Sequence, residues 1–111
     1  MITINRNKYY TYMLLDSRNN LVFYVGKGCG NRMYKHEKDV RLGKIPNQTN
    51  YDLFYKIKDV INSNGYIIYE KIKENVEELE SLALEAAFID FYGIDNLCNY
   101  FRSWNGYLWN R

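Results

Sequence analysis

The sequence predicts a small α/β domain in which an antiparallel three-stranded sheet is covered by helices. Two runs rich in β-branched and aromatic residues flank a polar cluster at 16–20, which predicts a β-hairpin, and a similar third run occupies 66–73. Apolar residues at helical spacing predict helices after the hairpin and after the third run. With 111 residues and 47% hydrophobic content, the chain has enough apolar material for one core.

The hairpin is predicted from its two strands. Residues 9–15 are aromatic or apolar with one threonine, which is typical of a central strand, and 21–25 form the returning strand, which we expect to stop at Gly26. Because side chains alternate along a strand, Tyr10 and Tyr12 are predicted to project together on one face.

A glycine-rich turn is predicted after the second strand. Three glycines fall in the five positions 26–30, and Asn31 follows as a candidate helix N-cap. Arg32 and His36 are four residues apart, so on a helix they share one face. Such a pair of cations beside a turn would suit a phosphate group.

Three helices are predicted. The first begins at Asn31 and is closed by Gly43, the second has an apolar stripe over 53–61 and ends at 64–65, and the third covers 76–92. The apolar stripe of the third helix is predicted to consist of Leu79, Leu82, Ala83, Ala86 and Ile89.

Two carboxylates of the third predicted helix lie near its apolar stripe. Glu85 is placed at the rim and Asp90 closer to the middle. Since burial of an unpartnered carboxylate costs several kcal/mol or shifts its protonation, each needs a donor, a cation or a metal. We favour a structural partner for Asp90, whereas at this point the role of Glu85 stays open.

The charge distribution indicates one basic surface. Residues 1–46 carry nine Lys or Arg and three acids, a net charge of +6, whereas 47–111 carry six bases and ten acids, a net charge of −4. A basic half suits a polyanion such as nucleic acid, but lysines that merely solvate helix faces explain the charge equally well.

Composition also bears on the compartment. No apolar run is long enough to span a bilayer, and residues 1–8 lack the apolar core of a signal peptide. Cys29 and Cys98 lack the spacing of a zinc site, so we interpret both as reduced and structural. These features predict a cytoplasmic protein without a membrane partner.

The C-terminal tail, residues 97–111, holds both tryptophans and alternates aromatic with polar residues. Aromatic rings beside arginines can stack unpaired bases. Packing of the tail across its own domain, or contact with a second subunit in a homodimer, is the interpretation we favour.

Five elements, in order, resemble the motif set of the GIY-YIG nucleases. They are Tyr10-Thr11-Tyr12, Tyr24-Val25-Gly26, Arg32 with His36 one turn later, Glu85 and Asn99. Residues 23–32, 84–90 and 97–99 are most similar to the branch found at the C-termini of LEM-domain nucleases. Tyr10 and Thr11 replace the glycine and isoleucine that name the first motif. The resemblance covers nearly the whole chain and implies a GIY-YIG-type fold.

This resemblance implies a metal-dependent DNA endonuclease that hydrolyses phosphodiester bonds. Glu85 would hold a single Mg²⁺ or Mn²⁺ ion, mostly through water. Arg32 would hold the scissile phosphate and stabilise the charge that grows on it. Asn99 would anchor the water shell of the metal or the phosphate.

The resemblance also implies a role for the two motif tyrosines. Tyr12 or Tyr24 would orient or deprotonate the attacking water, and the sequence does not distinguish them. His36 would position that tyrosine or share the proton transfer. Lys27, Lys35 and Tyr10 are candidate substrate contacts, with packing as the favoured alternative for Tyr10.

Two alternatives remain beside the DNA nuclease. One is a nucleic-acid-binding module without catalysis, which would not need all the motif residues; the other is a nuclease that acts on RNA. Because 111 residues leave no room for a separate recognition domain, we expect low sequence specificity or a preference for nicked, branched or single-stranded structures.

Overall fold

The fold is described from a computed structural model, which covers residues 6–99. The strands are β1 (Tyr9–Asp16), β2 (Leu21–Cys29) and β3 (Ile67–Val76), and the α-helices are α1 (Lys35–Arg41), α2 (Tyr51–Asn62) and α3 (Glu78–Tyr92). Short 3₁₀ helices occupy Arg32–Tyr34, Gln48–Asn50 and Ile94–Asn96. The predicted tail lies outside the described residues from position 100 onward.

The three strands form one antiparallel sheet in the order β2-β1-β3. This confirms the predicted α/β fold, with the aromatic first strand at the centre. Tyr10 pairs with Gly28 and Tyr12 with Gly26 across the β1–β2 ladder. Tyr10 and Tyr12 therefore each face a residue without a side chain.

The expected stop of the second strand at Gly26 is wrong, because β2 continues to Cys29. Gly26 and Gly28 lie within the strand, so they are not turn residues. Of the three glycines, Gly30 alone has a positive φ, of +58°, which a residue with a side chain rarely adopts. Two of the three glycines therefore serve another purpose.

The start of α1 also differs from the prediction. A 3₁₀ turn over Arg32–Tyr34 precedes the α-helix, and the side chain of Asn31 makes no capping hydrogen bond. The hydroxyl of Tyr10 accepts a hydrogen bond from the Met33 N–H (3.1 Å) and donates one to the Gly30 carbonyl (2.8 Å). A side chain from the neighbouring strand thus satisfies a helix-start N–H that the preceding residue was expected to cap.

Helix α3 starts later in the chain than predicted, and the face that it buries differs from the predicted one. Val76 is the last residue of β3, and α3 starts at Glu78. Leu79 is 70% exposed, Asp90 is exposed, and the buried positions are Ser81, Ala86 and Ile89. The helix is apolar on nearly every side, so its sequence pattern does not select the buried face.

The core lies between the sheet and the α1/α2 layer. Its buried members are Tyr10, Tyr12, Leu14, Phe23, Met33, Leu53, Ile57, Val60 and Ile67. The stripe of α2 is confirmed, and Tyr10 and Tyr12 share this face as predicted. On the opposite face, the hydroxyl of Thr11 donates a hydrogen bond to the Ser81 carbonyl (2.8 Å), which docks α3.

Two further observations concern the expectations from composition. Cys29 and Cys98 are both free thiols and both half-buried, and burial raises the pKa of Cys98 to about 11. Within residues 6–99, no helix is both long and apolar enough to cross a bilayer.

Candidate active site

Three predicted site residues form a row of rings that ends at His36 on α1. The ring centroids of Tyr12 and Tyr24 are 6.1 Å apart, and those of Tyr24 and His36 are 5.4 Å apart with the rings edge-on. A hydrogen bond also joins the two tyrosine hydroxyls. Tyr12 is 1% exposed, whereas Tyr24 and His36 are half-buried. The structure therefore brings together residues from β1, β2 and α1 that the motif order had grouped.

The two tyrosines differ in acidity. Burial, followed by the nearby hydroxyl of Tyr24 and the charge of Glu85, raises the pKa of Tyr12 far above its usual range. Burial and Glu85 raise the pKa of Tyr24 only to about 12, because Arg32 and the hydrogen bond from Tyr12 act in the opposite direction. Tyr24 is thus both the more acidic and the more accessible of the pair.

His36 is uncharged at neutral pH. Burial, reinforced by the nearby charge of Arg32 and that of Lys35, lowers its pKa to about 4 against the opposing effect of Asp39. The prediction of a cationic Arg32/His36 pair is therefore wrong for His36: it offers a neutral imidazole, which can accept a hydrogen bond or a proton.

Gly26 and Gly28 make room for site side chains. A Cβ on Gly26 would lie 2.6 Å from Cζ and from the hydroxyl oxygen of Tyr12, and a Cβ on Gly28 would lie 2.7 Å from Cβ of Arg32. These distances are shorter than real contacts allow. The sequence predicts a turn at these glycines, whereas the register that places each of them opposite a β1 tyrosine appears only in the structure.

Tyr10 does not line the open cleft described below. It is 3% exposed, and its hydroxyl is engaged by Gly30 and Met33. The ammonium group of Lys71 lies 4.7 Å from the centre of its ring. This geometry favours a positioning role for Tyr10, since it holds the turn that carries Arg32.

Asn99 ties the end of the described chain to the free edge of the sheet. Its Oδ1 accepts a hydrogen bond from the Val25 N–H (3.1 Å), and its Nδ2 donates to the Val25 carbonyl (2.7 Å). The Cys98 N–H donates to the Phe23 carbonyl (2.7 Å). Asn99 and Cys98 together therefore fix β2 on both sides of Tyr24, and the predicted contact of Asn99 with a metal or phosphate stays a prediction.

An open cleft of about 890 Å³, which we call the cationic cleft, is connected to this row through Arg32, which lines the cleft and whose charge acts on all three rings. The three rings themselves and Glu85 do not line it. Five of its lining residues are cationic and two are acidic. The cations are Lys27, Arg32, Lys35, Lys38 and Lys44. Lys27 pairs with Glu78, and Lys35 pairs with Asp39 (2.8 Å), so both acids are already engaged by lysines. All five cations come from the basic half of the sequence.

Glu85 lies on α3, half-buried, and its charge raises the pKa values of Tyr12 and Tyr24. Its carboxylate is therefore within electrostatic range of both hydroxyls. Among the described residues, no group of three His, Cys, Asp or Glu side chains could jointly hold a metal. The single carboxylate of Glu85 does not fit a structural zinc site, but it fits Mg²⁺, which keeps several waters and needs only one or two carboxylates.

Comparison with known families adds one finding. The family model described as the LEM-3-like GIY-YIG domain matches residues 9–107. The match includes every predicted site residue. Searches of curated proteins and of solved structures gave no significant match.

Proposed function

Because the chain belongs to the family of LEM-3-like GIY-YIG domains, we propose that it is a divalent-metal-dependent endonuclease that hydrolyses DNA phosphodiester bonds. The family suggests nuclease activity; the metal, the DNA substrate and the residue roles are our proposal. The observation that carries it is the position of Arg32, which lines the cationic cleft next to the row of Tyr12, Tyr24 and His36.

Arg32 binds the scissile phosphate. Its guanidinium stays charged at any accessible pH and can donate two parallel hydrogen bonds to phosphate oxygens. The first atoms of its side chain pack over Gly28, which restricts where the guanidinium can reach. Charge that develops on the phosphate during attack is stabilised by a group already in place.

Tyr24 orients the attacking water. Of the two tyrosines it loses its proton to bulk water more readily, and its phenolate is then the preferred base that takes the proton of the attacking water. It is more exposed than Tyr12, and its pKa of about 12 is the lower of the two. Tyr12 stabilises a developing phenolate through the hydroxyl–hydroxyl hydrogen bond. The neutral imidazole of His36 packs edge-on against the Tyr24 ring and positions it.

Glu85 would hold the metal, with water completing the coordination shell. The bound ion would supply Lewis-acid activation of a phosphate oxygen. Neutralisation of the Glu85 charge would also remove one contribution that raises the pKa of Tyr24. The carboxylate, the tyrosine and the arginine are thereby coupled electrostatically.

The test is cleavage of plasmid, single-stranded and branched DNA with Mg²⁺ or Mn²⁺. We expect the wild type to cut, and we expect Arg32→Ala and Glu85→Gln each to lose about a hundredfold or more in rate. Glu80→Gln is the matched control, because this carboxylate is on the same helix and pairs with Lys73 outside the cleft (2.7 Å). It should cut as the wild type does.

A wild type that is inert on every DNA with both metals would overturn the proposal, as would full activity of Glu85→Gln. Cleavage of RNA but not of DNA would establish the RNA alternative instead. Retained DNA binding in an inert wild type would identify a binding module.

A further inference from the structure

Tyr34 places an aromatic ring between two depressions of the surface. It is 45% exposed and lines both the cationic cleft and a neighbouring depression of about 330 Å³. It is also the last residue of the 3₁₀ turn that begins with Arg32. An aromatic surface therefore lies two residues from the cation assigned to the phosphate.

The Tyr34 ring rests on a fixed support. Its centroid is 4.7 Å from that of Tyr69 on β3. The hydroxyl of Tyr69 donates a short hydrogen bond to Oε1 of Glu37, and Oε2 of Glu37 accepts one from Nε of Arg41 (2.8 Å). The hydroxyl of the supporting ring is thus held by Glu37, which Arg41 holds in turn, so Tyr69 has little side-chain entropy left to lose on binding.

The charges around this ring favour a nucleic acid strand. Lys38 lines both depressions, and Arg41 lines the smaller one. The single acid of the smaller depression, Glu37, is engaged by Tyr69 and Arg41, which limits its repulsion of phosphate. The surface combines a flat apolar face with cations on both sides, which is the combination used to bind single strands.

We propose that Tyr34, supported by Tyr69, is a stacking platform for an unpaired nucleobase next to the scissile phosphate. In a continuous duplex both faces of every base are covered by neighbouring pairs, so a surface ring can stack only on a base at an end, a branch, a gap or in a single strand. The platform would therefore direct cutting to such positions. The inference rests on the proposed function only for the place of the scissile phosphate.

The first experiment measures binding without cleavage, in buffer with a metal chelator. The probes are a fluorescently labelled single-stranded DNA oligonucleotide and a labelled, covalently closed and relaxed DNA circle, a duplex that has no ends. We expect Tyr34→Ala to weaken binding of the single strand by about 5- to 150-fold, the range for loss of one stacked base, and to change duplex binding by less than about twofold. Tyr34→Phe, which keeps the ring, should bind as the wild type does.

Tyr55→Ala is the matched control. Tyr55 is 59% exposed and also packs beside other rings, those of Tyr51 and Phe54, but it lines neither depression. We expect this variant to leave single-strand binding unchanged. Equal losses for Tyr34→Ala and Tyr55→Ala, or no loss for Tyr34→Ala, would overturn the proposal.

A second experiment needs no variant and guards against misfolding of Tyr34→Ala. The fluorescent base 2-aminopurine, placed in the single strand, loses emission when it stacks on a ring. We expect quenching at one or more positions of the strand when the wild type binds it. Binding that quenches the probe at none of the tested positions would contradict the platform. An inert wild type that still quenches would refute only the proposed function, whereas a wild type that cuts without quenching would refute only the platform.

Discussion

Acidification tests the electrostatics of the active site through His36, the only histidine of the chain. Burial and the charge of Arg32 lower its pKa from 6.5 to about 4. Below about pH 6.5 the unfolded chain binds a proton at this imidazole that the folded protein does not bind until about pH 4. The free energy of unfolding should therefore fall as the pH drops through this window.

The magnitude follows from the size of the pKa difference. At 1.36 kcal/mol per pKa unit, the full effect amounts to about 3 kcal/mol, of which about 2 kcal/mol falls between about pH 7 and pH 5. For a domain of this size, a loss of about 2 kcal/mol lowers the melting temperature by about 10 °C. Most carboxylates stay ionised over this interval, so His36 dominates the change.

The assay is urea unfolding of the wild type and of His36→Gln at several pH values in this window. The glutamine has no titrating group, so it removes the contribution of His36 and keeps that of every other residue. We expect the stability difference between the two proteins to change by about 2 kcal/mol between about pH 7 and pH 5. The imidazole can also be followed directly by NMR, because the chain has one histidine.

An imidazole that titrates near 6.5 in the folded protein would refute this reasoning. So would parallel pH profiles of the wild type and His36→Gln. Either result would mean that the site does not lower the pKa of His36, and the placement of this imidazole in the half-buried row beside Tyr24 and near the charge of Arg32 would fail with it.

Three further predictions concern the framework of the site. Gly26→Ala places a methyl group 2.6 Å from the Tyr12 ring, so we expect about 1–3 kcal/mol lower stability in urea unfolding; wild-type stability would contradict the contact. Asp16 is 1% exposed and paired with Arg18 (2.8 Å), so we expect Asp16→Asn to lower the free energy of unfolding by about 2–3 kcal/mol. Because Arg18 lowers the pKa of Asp16, that difference should shrink below about pH 4, and a constant difference would exclude the ion pair as its cause. Tyr10→Phe loses the hydroxyl that holds the Arg32 turn and should lower the cleavage rate about tenfold or more with about 1 kcal/mol lost in stability; unchanged cleavage would remove its positioning role.

The sequence by itself determined the hairpin, the third strand, the apolar stripe of α2 and the family. These features follow from local patterns, namely alternation along a strand, helical spacing of apolar residues, and the order of short motifs. The motif order also identified Tyr12, Tyr24 and His36, which the fold brings into contact. The functional roles of these residues remain predictions, since only the family match bears on them.

Features that depend on contacts between distant segments appeared only in the tertiary structure. The face that α3 buries could not be read from a helix that is apolar nearly all round, and the Thr11 hydroxyl selects it by binding the Ser81 carbonyl. Capping of the Arg32 turn by Tyr10 joins residues more than 20 positions apart, beyond the reach of local capping rules. The contact of Tyr34 with Tyr69 likewise joins two residues that are far apart in the chain, so local patterns do not predict it.

The glycine-rich stretch 26–30 shows what local sequence determines and what tertiary structure decides. Its composition predicts a place of close approach, because glycines concentrate where backbone or side chains approach closely. Composition could not say what approaches, since that depends on the register of β1 against β2 and on the turn after β2. The structure places the Tyr12 ring over Gly26 and the Arg32 stem over Gly28. The local sequence thus determined where space was needed, and tertiary packing decided which side chains fill it.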